Sequence, residues 1–464
     1  MSHTTQSVLA RIDREKSRSL DELKAYLRYP SVSTDPAFAP QVNACADYLI
    51  DRMKAAGLTT EKISTAGHPL VYAEWMGAGA DKPTVLFYGH YDVQPADPIG
   101  EWRHDPFEPT EEGDLLVCRG ATDDKGQQYC HVKGVEAILA ERGSLPVNVK
   151  FIVEGEEESG GEAIEHFVKA DAGKKLGCDA VVISDNSMYG PGKPSLVYGL
   201  RGIAYMEVKV TGPNRDLHSG TYGGGVTNPL NALCQMVSQL RDPETGKILI
   251  HGFYDTVRPI EGWEREEFKN LGFSEEEQRI DLGVATLTGE EGYTYLERTS
   301  ARPTCDLNGI YGGYQGKGAK TVLPGWAGAK ISMRLVPDQE PADIAKKFET
   351  YFKKIAPPGV TVEVTYLHGG AAALFDPKGP AADAAMQALE EVWGTQPVRV
   401  REGGSIPIAT VFGKVLNVPV LFLGFGLNDD RLHSPNEKFN ISHYFNGIRS
   451  VATFLDRLGG VPAK

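Results

Sequence analysis

The six cysteines of this 464-residue chain, Cys45, Cys118, Cys130, Cys178, Cys234 and Cys305, form no Cys-x-x-Cys pair. Their dispersal argues against a zinc ribbon or a disulfide framework and fits reduced structural thiols. No window holds the roughly 20 apolar residues of a membrane span, and residues 1–20 carry scattered charges in place of the apolar stretch of a secretory signal. A cytoplasmic protein is the expectation. Positive charge is not in excess: Lys and Arg number 48 against 62 Asp and Glu, a formal net charge of -14, which argues against nucleic acid as the main partner. Internal repeats and low-complexity segments are missing too. What is present is an ordinary globular composition, 41% hydrophobic and 24% charged, in a chain about three times a usual domain length. More than one domain is therefore expected.

Strand and helix signals alternate through the first part: Val71 to Trp75, Val85 to Tyr88, Leu115 to Cys118, a helix from about Gln127 to Arg142, Val147 to Val153, and Ala180 to Ile183. Apolar runs of this kind read as buried strands of an α/β sheet covered on both faces. Near Gly202 the pattern changes. Ala204, Met206, Val208 and Val210 alternate with Tyr205, Glu207 and Lys209, the period of a strand with one solvated face, and the alternation returns at residues 330–335 and 360–364 around a helix over about 342–355. Gly369-Gly370-Ala371-Ala372-Ala373 reads as the linker out of this region, and the α/β pattern resumes with Val420-Leu421-Phe422-Leu423 and an amphipathic helix through Ile441, Phe445, Ile448 and Leu455. The expected architecture is an α/β catalytic domain, discontinuous over residues 1–203 and 374–464, with a largely parallel sheet flanked by helices. A small α+β sandwich over 204–373 is inserted in it. The charged stretch 241–299 receives no role.

Chemistry collects where these strands end. His90 and Asp92 follow the run Val85 to Tyr88, at the place where ligands bind in open α/β sheets. The spacing lets His90 ligate a metal while Asp92 fixes its tautomer, although a hydrogen-bonded histidine at a strand end has the same appearance. Asp123-Asp124 open a helix as cap and first-turn carboxylates, or serve as a bridge between two cations. Glu154, Glu156, Glu157 and Glu158 follow another buried strand. Several carboxylates in one crevice are costly without cations to neutralise them. Asp185 follows Ile183-Ser184, and His433 lies in Arg431-Leu432-His433-Ser434-Pro435-Asn436-Glu437. Mixed imidazole and carboxylate ligands suit zinc and tolerate manganese or cobalt, and two such ions activate a shared water and polarise a carbonyl. The chemistry implied is hydrolysis.

The motifs GHYDVQP, RGATDDKG, EGEEESG, SDN, DLHSG, GGYQG, SMRLVP, REGGSIP and LHSPNE stand in one order along nearly the whole chain. In that order they resemble the co-catalytic zinc hydrolases that include carnosine dipeptidases, aminoacylases and succinyl-diaminopimelate desuccinylase, with Asp185 resembling the dipeptidase branch. The resemblance implies two zinc ions, one held by His90, Asp123 and Asp185 and the other by Asp123, Glu158 and His433. It implies Glu157 as general base, Asp92 as the residue that orients His90, and Arg334 with the turn Gly403-Gly404-Ser405 as substrate contacts. In the resembling family the inserted domain acts as a lid and pairs two chains into a homodimer, so that the counterpart of His218 reaches the partner's site. The activity implied is hydrolysis of dipeptides or short peptides. N-acyl amino acid deacylation is the alternative enzyme, and a metal-stabilised binding protein is the alternative outside enzymes.

Overall fold

The computed structural model describes residues 3–171, 173–404 and 406–461. Two compact units divide them. The first comprises Met1–Tyr198, Phe375–Val400 and Val411–Lys464; the second comprises Gly199–Leu374 and Arg401–Thr410.

In the first unit a mixed sheet runs in the order Thr59–Ile63, Leu70–Trp75, Asn148–Glu154, Thr84–His90, Ala180–Ile183, Val420–Phe422 and then Ser195–Leu200. From Asn148–Glu154 to Val420–Phe422 the neighbours are parallel, whereas the pairings on either side are antiparallel. The central strands are buried except for half-buried Thr84, as expected of parallel strands covered on both faces. The outer strand Thr59–Ile63 is partly exposed and follows the rule for edges. A connection of a few residues joins it to Leu70–Trp75, and so short a link permits only an antiparallel neighbour.

Helix Lys125–Arg142 is buried around most of its circumference, with Val132, Val135 and Ile138 in the main core beside Ile448, Val451 and Leu455 of helix Ile441–Leu458. Gly134 lets these helices meet, since a Cβ there would lie 2.7 Å from a Val451 methyl. Gly126, in the first turn of the helix, packs against the turn that precedes it. A Cβ there would stand 1.9 Å from the Ala121 carbonyl oxygen.

The second unit is built on a four-stranded antiparallel sheet in the order Thr304–Gly312, Trp326–Leu335, Gly202–Thr211, Thr361–Gly370. Ala204, Met206, Val208 and Val210 face a core shared with Ile331, Met333, Phe348 and Phe352, while the intervening residues are more exposed. Helices Pro229–Ser238 and Pro341–Lys354 pack on that apolar face, and Asn228 caps the first by accepting from the Leu230 N–H at 2.9 Å. Gly369 and Gly370, read from the sequence as linker, are the last residues of strand Thr361–Gly370. Packing explains the glycine: a Cβ on Gly369 would meet the Tyr366 hydroxyl at 2.1 Å and the Ile203 carbonyl at 2.7 Å.

The stretch 241–299 folds as short helices, among them Gly262–Asn270 and Tyr295–Ser300, each opened by a capping box, Glu261 with Glu264 and Thr294 with Glu297. A buried ion pair of Glu264 with Arg401 anchors it within the second unit. Among the described residues no helix is long and apolar enough to cross a membrane.

Candidate active site

The parallel strands deliver their ends side by side. His90 is in register with Glu154, and Ile183, just before Ser184 and Asp185, is in register with Tyr88 and Phe422. Asp123 arrives from the turn before helix Lys125–Arg142, and His433 from a loop in which Arg431, His433 and Asn436 all adopt positive φ. Ligand atoms of His90, Asp123 and Asp185 lie within 4.8 Å of one another, as do those of Asp123, Glu158 and His433. Asp123 stands in both groups, offering Oδ1 to His90 Nε2 at 3.0 Å and Oδ2 to His433 Nε2 at 2.9 Å. His90 Nε2 stands 3.9 Å from Asp185, and His433 Nε2 stands 3.4 Å from Glu158. Neighbouring ligands of a tetrahedral zinc stand about 3.3 Å apart, so this donor set fits a pair of divalent cations in both chemistry and spacing.

The electrostatics of the crevice call for cations. Burial, followed by the charge of Asp123, pushes the Asp185 carboxyl up to about 7. Burial likewise raises Glu157 and Asp124 well above the carboxylate range, with Asp185 adding to both. Burial works against a charged His90, yet its hydrogen bonds to Asp123 and Asp92 hold the ring well above the ordinary histidine value. Asp123 and Glu158 likewise lift His433 to about 10. A divalent cation bound by these residues would displace protons from both imidazoles.

Each site residue is positioned by its neighbours. His90 Nδ1 faces the Asp92 carbonyl oxygen at 3.1 Å and a carboxylate oxygen of Asp92 at 3.4 Å, which leaves Nε2 for a ligand bond. The Asp92 carboxylate also accepts from the backbone N–H of Glu157 at 3.3 Å and of Glu158 at 3.0 Å, and from the Ser33 hydroxyl at 2.6 Å. The four glutamates of the acidic run separate by partner. Glu154 accepts from the Tyr88 hydroxyl, Glu156 from the His68 N–H and Glu158 from the Gln94 amide. Among the described residues the Glu157 side chain has no hydrogen bond, so its carboxylate is uncommitted.

Sequence reasoning missed Glu437. Fully buried, it accepts from the backbone N–H groups of Gly120, Thr122 and Asp123 at 3.0, 3.0 and 3.1 Å, and from Arg119 at 2.7 Å, so it holds the turn that presents Asp123. Its one signal was membership of the LHSPNE motif. Gln94 likewise had only its place in the GHYDVQP motif, and Ser33 gave no local signal.

The other predicted contacts belong to the second unit. His218 is exposed, and its Nδ1 accepts from the Gly220 N–H at 3.0 Å. Arg334 is half-buried on strand Trp326–Leu335, opposite Ile203. Arg201, not singled out in the sequence, donates to the Gly403 carbonyl at 3.3 Å; burial, and then the charge of Arg334, lower it to about 10. A Cβ on Gly403 would stand 2.8 Å from that guanidinium, which accounts for glycine there. Gly404 is exposed, and Ser405 lies outside the described residues.

Comparison with known proteins leads to the same chemistry. The chain matches the peptidase family M20/M25/M40 over residues 86–457. It is 36% identical to the Cys-Gly metallodipeptidase DUG1 of Candida albicans, over 98% of this chain and 97% of that one. It is also 36% identical to the human Beta-Ala-His dipeptidase, over 83% of this chain and 77% of the other. The solved structure of the di-peptidase Dug1p from Saccharomyces cerevisiae superposes with a TM-score of 0.84 at 34% identity, covering 100% of both chains. This protein therefore belongs to the peptidase family M20/M25/M40, as a metallopeptidase on the dipeptidase branch of that family.

Proposed function

We propose that the chain hydrolyses the amide bond of dipeptides at the crevice formed by His90, Asp123, Glu158, Asp185 and His433. The observation that carries this reading is Asp123, whose two carboxylate oxygens each face a different imidazole. The cations we assign are two zinc ions, with manganese or cobalt as substitutes, one on His90, Asp123 and Asp185 and one on Asp123, Glu158 and His433. When bound, such ions bring the pKa of a water toward about 7 and polarise the amide carbonyl. Glu157 then takes the proton of the attacking water and passes it to the amine that leaves as the C–N bond breaks. Its raised affinity for protons and its lack of a competing hydrogen bond suit it to both transfers. Asp92 fixes the tautomer of His90, while Glu437 keeps the Asp123 turn in place.

Relatives named for Cys-Gly and β-Ala-His dipeptides support the substrate class. Arg334, Gly403, Gly404 and Ser405 are assigned to substrate binding, and the second unit to the role of lid and pairing domain in a homodimer. The described cysteines, none of them in a disulfide, support a cytoplasmic setting. The test is a panel of Cys-Gly, β-Ala-His, other dipeptides, a tripeptide and N-acetyl amino acids with the metal-loaded enzyme. Turnover of dipeptides is expected. Turnover of the acylated amino acids alone would replace the reading with deacylation, and inertness toward every amide would leave a binding protein.

A further inference from the structure

The Asp92 carboxylate is fully buried and has four donors around it. Oδ1 faces His90 Nδ1 at 3.4 Å and the Glu157 N–H at 3.3 Å; Oδ2 accepts from the Glu158 N–H at 3.0 Å and from the Ser33 hydroxyl at 2.6 Å. His90 belongs to one cation cluster, Glu158 to the other, and Glu157 carries the proton. Ser33 alone stands outside the site. Its position is set by the main chain, because Val32 bridges Val93 in parallel, the Val93 N–H donates to the Ser31 carbonyl at 3.0 Å, and the Ser31 hydroxyl donates to the Tyr91 carbonyl at 2.6 Å. The segment carrying Ser31, Val32 and Ser33 lies upstream of residues 86–457, the span that matches the family.

We propose that Ser33 is a positioning residue that, through Asp92, sets both cation clusters at once. A buried carboxylate is free to turn about its terminal torsion unless its donors fix it. The Ser33 hydroxyl is the shortest of these contacts and the only one from a residue outside the two cation clusters and the acidic run. Loss of it lets the carboxylate rotate away from His90 on one side and from the Glu157–Glu158 backbone on the other. Gln94 supplies the contrast. Its amide donates to Glu158 Oε2 at 2.7 Å, leaving Oε1 toward His433, so it acts on a single cluster.

Metal affinity provides a readout that does not depend on catalysis; the activity arm rests on the dipeptidase reading. Chelator-stripped full-length protein is titrated with zinc chloride by calorimetry, in competition with a chelator. Ser33→Ala, acting through Asp92, should weaken both binding events by about 10-fold, and Gln94→Ala only one, by about 10- to 100-fold, the loss usual when a direct partner of a metal ligand is removed. At saturating metal, Ser33→Ala should lower kcat on a dipeptide about tenfold or more with KM within about twofold, and Ser33→Thr, which keeps the hydroxyl, should restore affinity and kcat. Ser33 is half-buried, and an unchanged thermal midpoint of the stripped variant checks that the fold survives. The proposal is overturned if Ser33→Ala binds both ions like the parent, if it weakens one alone, or if Ser33→Thr is no better than Ser33→Ala. Should the affinities shift as expected while the parent turns over no dipeptide, the substrate reading fails and the role of Ser33 stands.

Discussion

The two halves of the proposed metal site are built in opposite ways. His90 ends a central strand and its side chain is 0% exposed, whereas His433 sits on a loop between residues of positive φ and its side chain is 55% exposed. One half inherits its rigidity from the sheet. The other draws it from polar contacts, and Asp430 supplies several of these by accepting from the Thr122 hydroxyl and the Leu427 N–H and by pairing with Lys438. A buried ligand costs more to place and admits no substitute from solvent, while an exposed one is easily replaced or displaced.

The strongest way to break this contrast is to remove what both halves share. Asp123→Ala should abolish binding of both ions and lower turnover by more than about 10⁴-fold, with metal analysis as the check. Next comes the contrast itself. His90→Ala and His433→Ala should each lose about 10³-fold or more in activity, but added imidazole or excess metal should recover only His433→Ala, since solvent reaches that ligand. Equal rescue of the two would show that exposure does not distinguish them. Glu157→Gln takes away a proton carrier and no ligand, so turnover should fall by about 10²- to 10⁴-fold with both ions retained in metal analysis.

A smaller effect extends the comparison to the second unit. The family resemblance implies that His218 reaches the partner's site as a donor to the developing oxyanion, so His218→Ala should reduce turnover by roughly 100-fold at full metal content, the loss usual for one such donor. Coexpression with a Glu157→Ala chain should restore part of the activity in purified mixed dimers, and mixed dimers as inactive as either parent would remove His218 from the mechanism.

The smallest effect concerns the packing behind the buried half. His131 is fully buried, stacks on Phe87 and contacts the Ser184 hydroxyl at 2.7 Å; burial lowers it to about 3. Its ring stays neutral in the folded chain below the pH at which the unfolded chain takes up a proton. The stability it contributes is therefore present above about pH 6.5 and lost as pH falls toward about 3, at up to about 1.4 kcal/mol per pH unit. Denaturant unfolding of parent and His131→Gln at a series of pH values should show a shallower acid limb in the variant.

The buried half was legible in the sequence because a strand announces itself by an unbroken apolar run, and the polar residues just past such a run mark the strand end. His90, the acidic run and Asp185 could all be located this way. Of the exposed half only Glu158, in the acidic run, was legible in this way, because nothing in the local pattern around His433 says what it faces, and only the ordered set of motifs joined it to Asp123. Glu437 lies 318 residues from Arg119 along the chain, and Ser33 lies 59 from Asp92. Contacts at such separations leave no periodicity to read. The capping boxes within 241–299 were readable as Glu261-x-x-Glu264 and Thr294-x-x-Glu297, but an excess of charge hid the helices that they begin.

The bridging contact between Asp123 and His433 spans 310 residues, with the whole second unit lying between them in the chain. During synthesis, which proceeds at about 5 to 20 residues per second, Asp123 would wait at least about 15 seconds for its second imidazole. Throughout that interval the nascent chain holds one incomplete half of the cluster. The second proposed cation cluster can therefore close only after nearly the whole chain has been made.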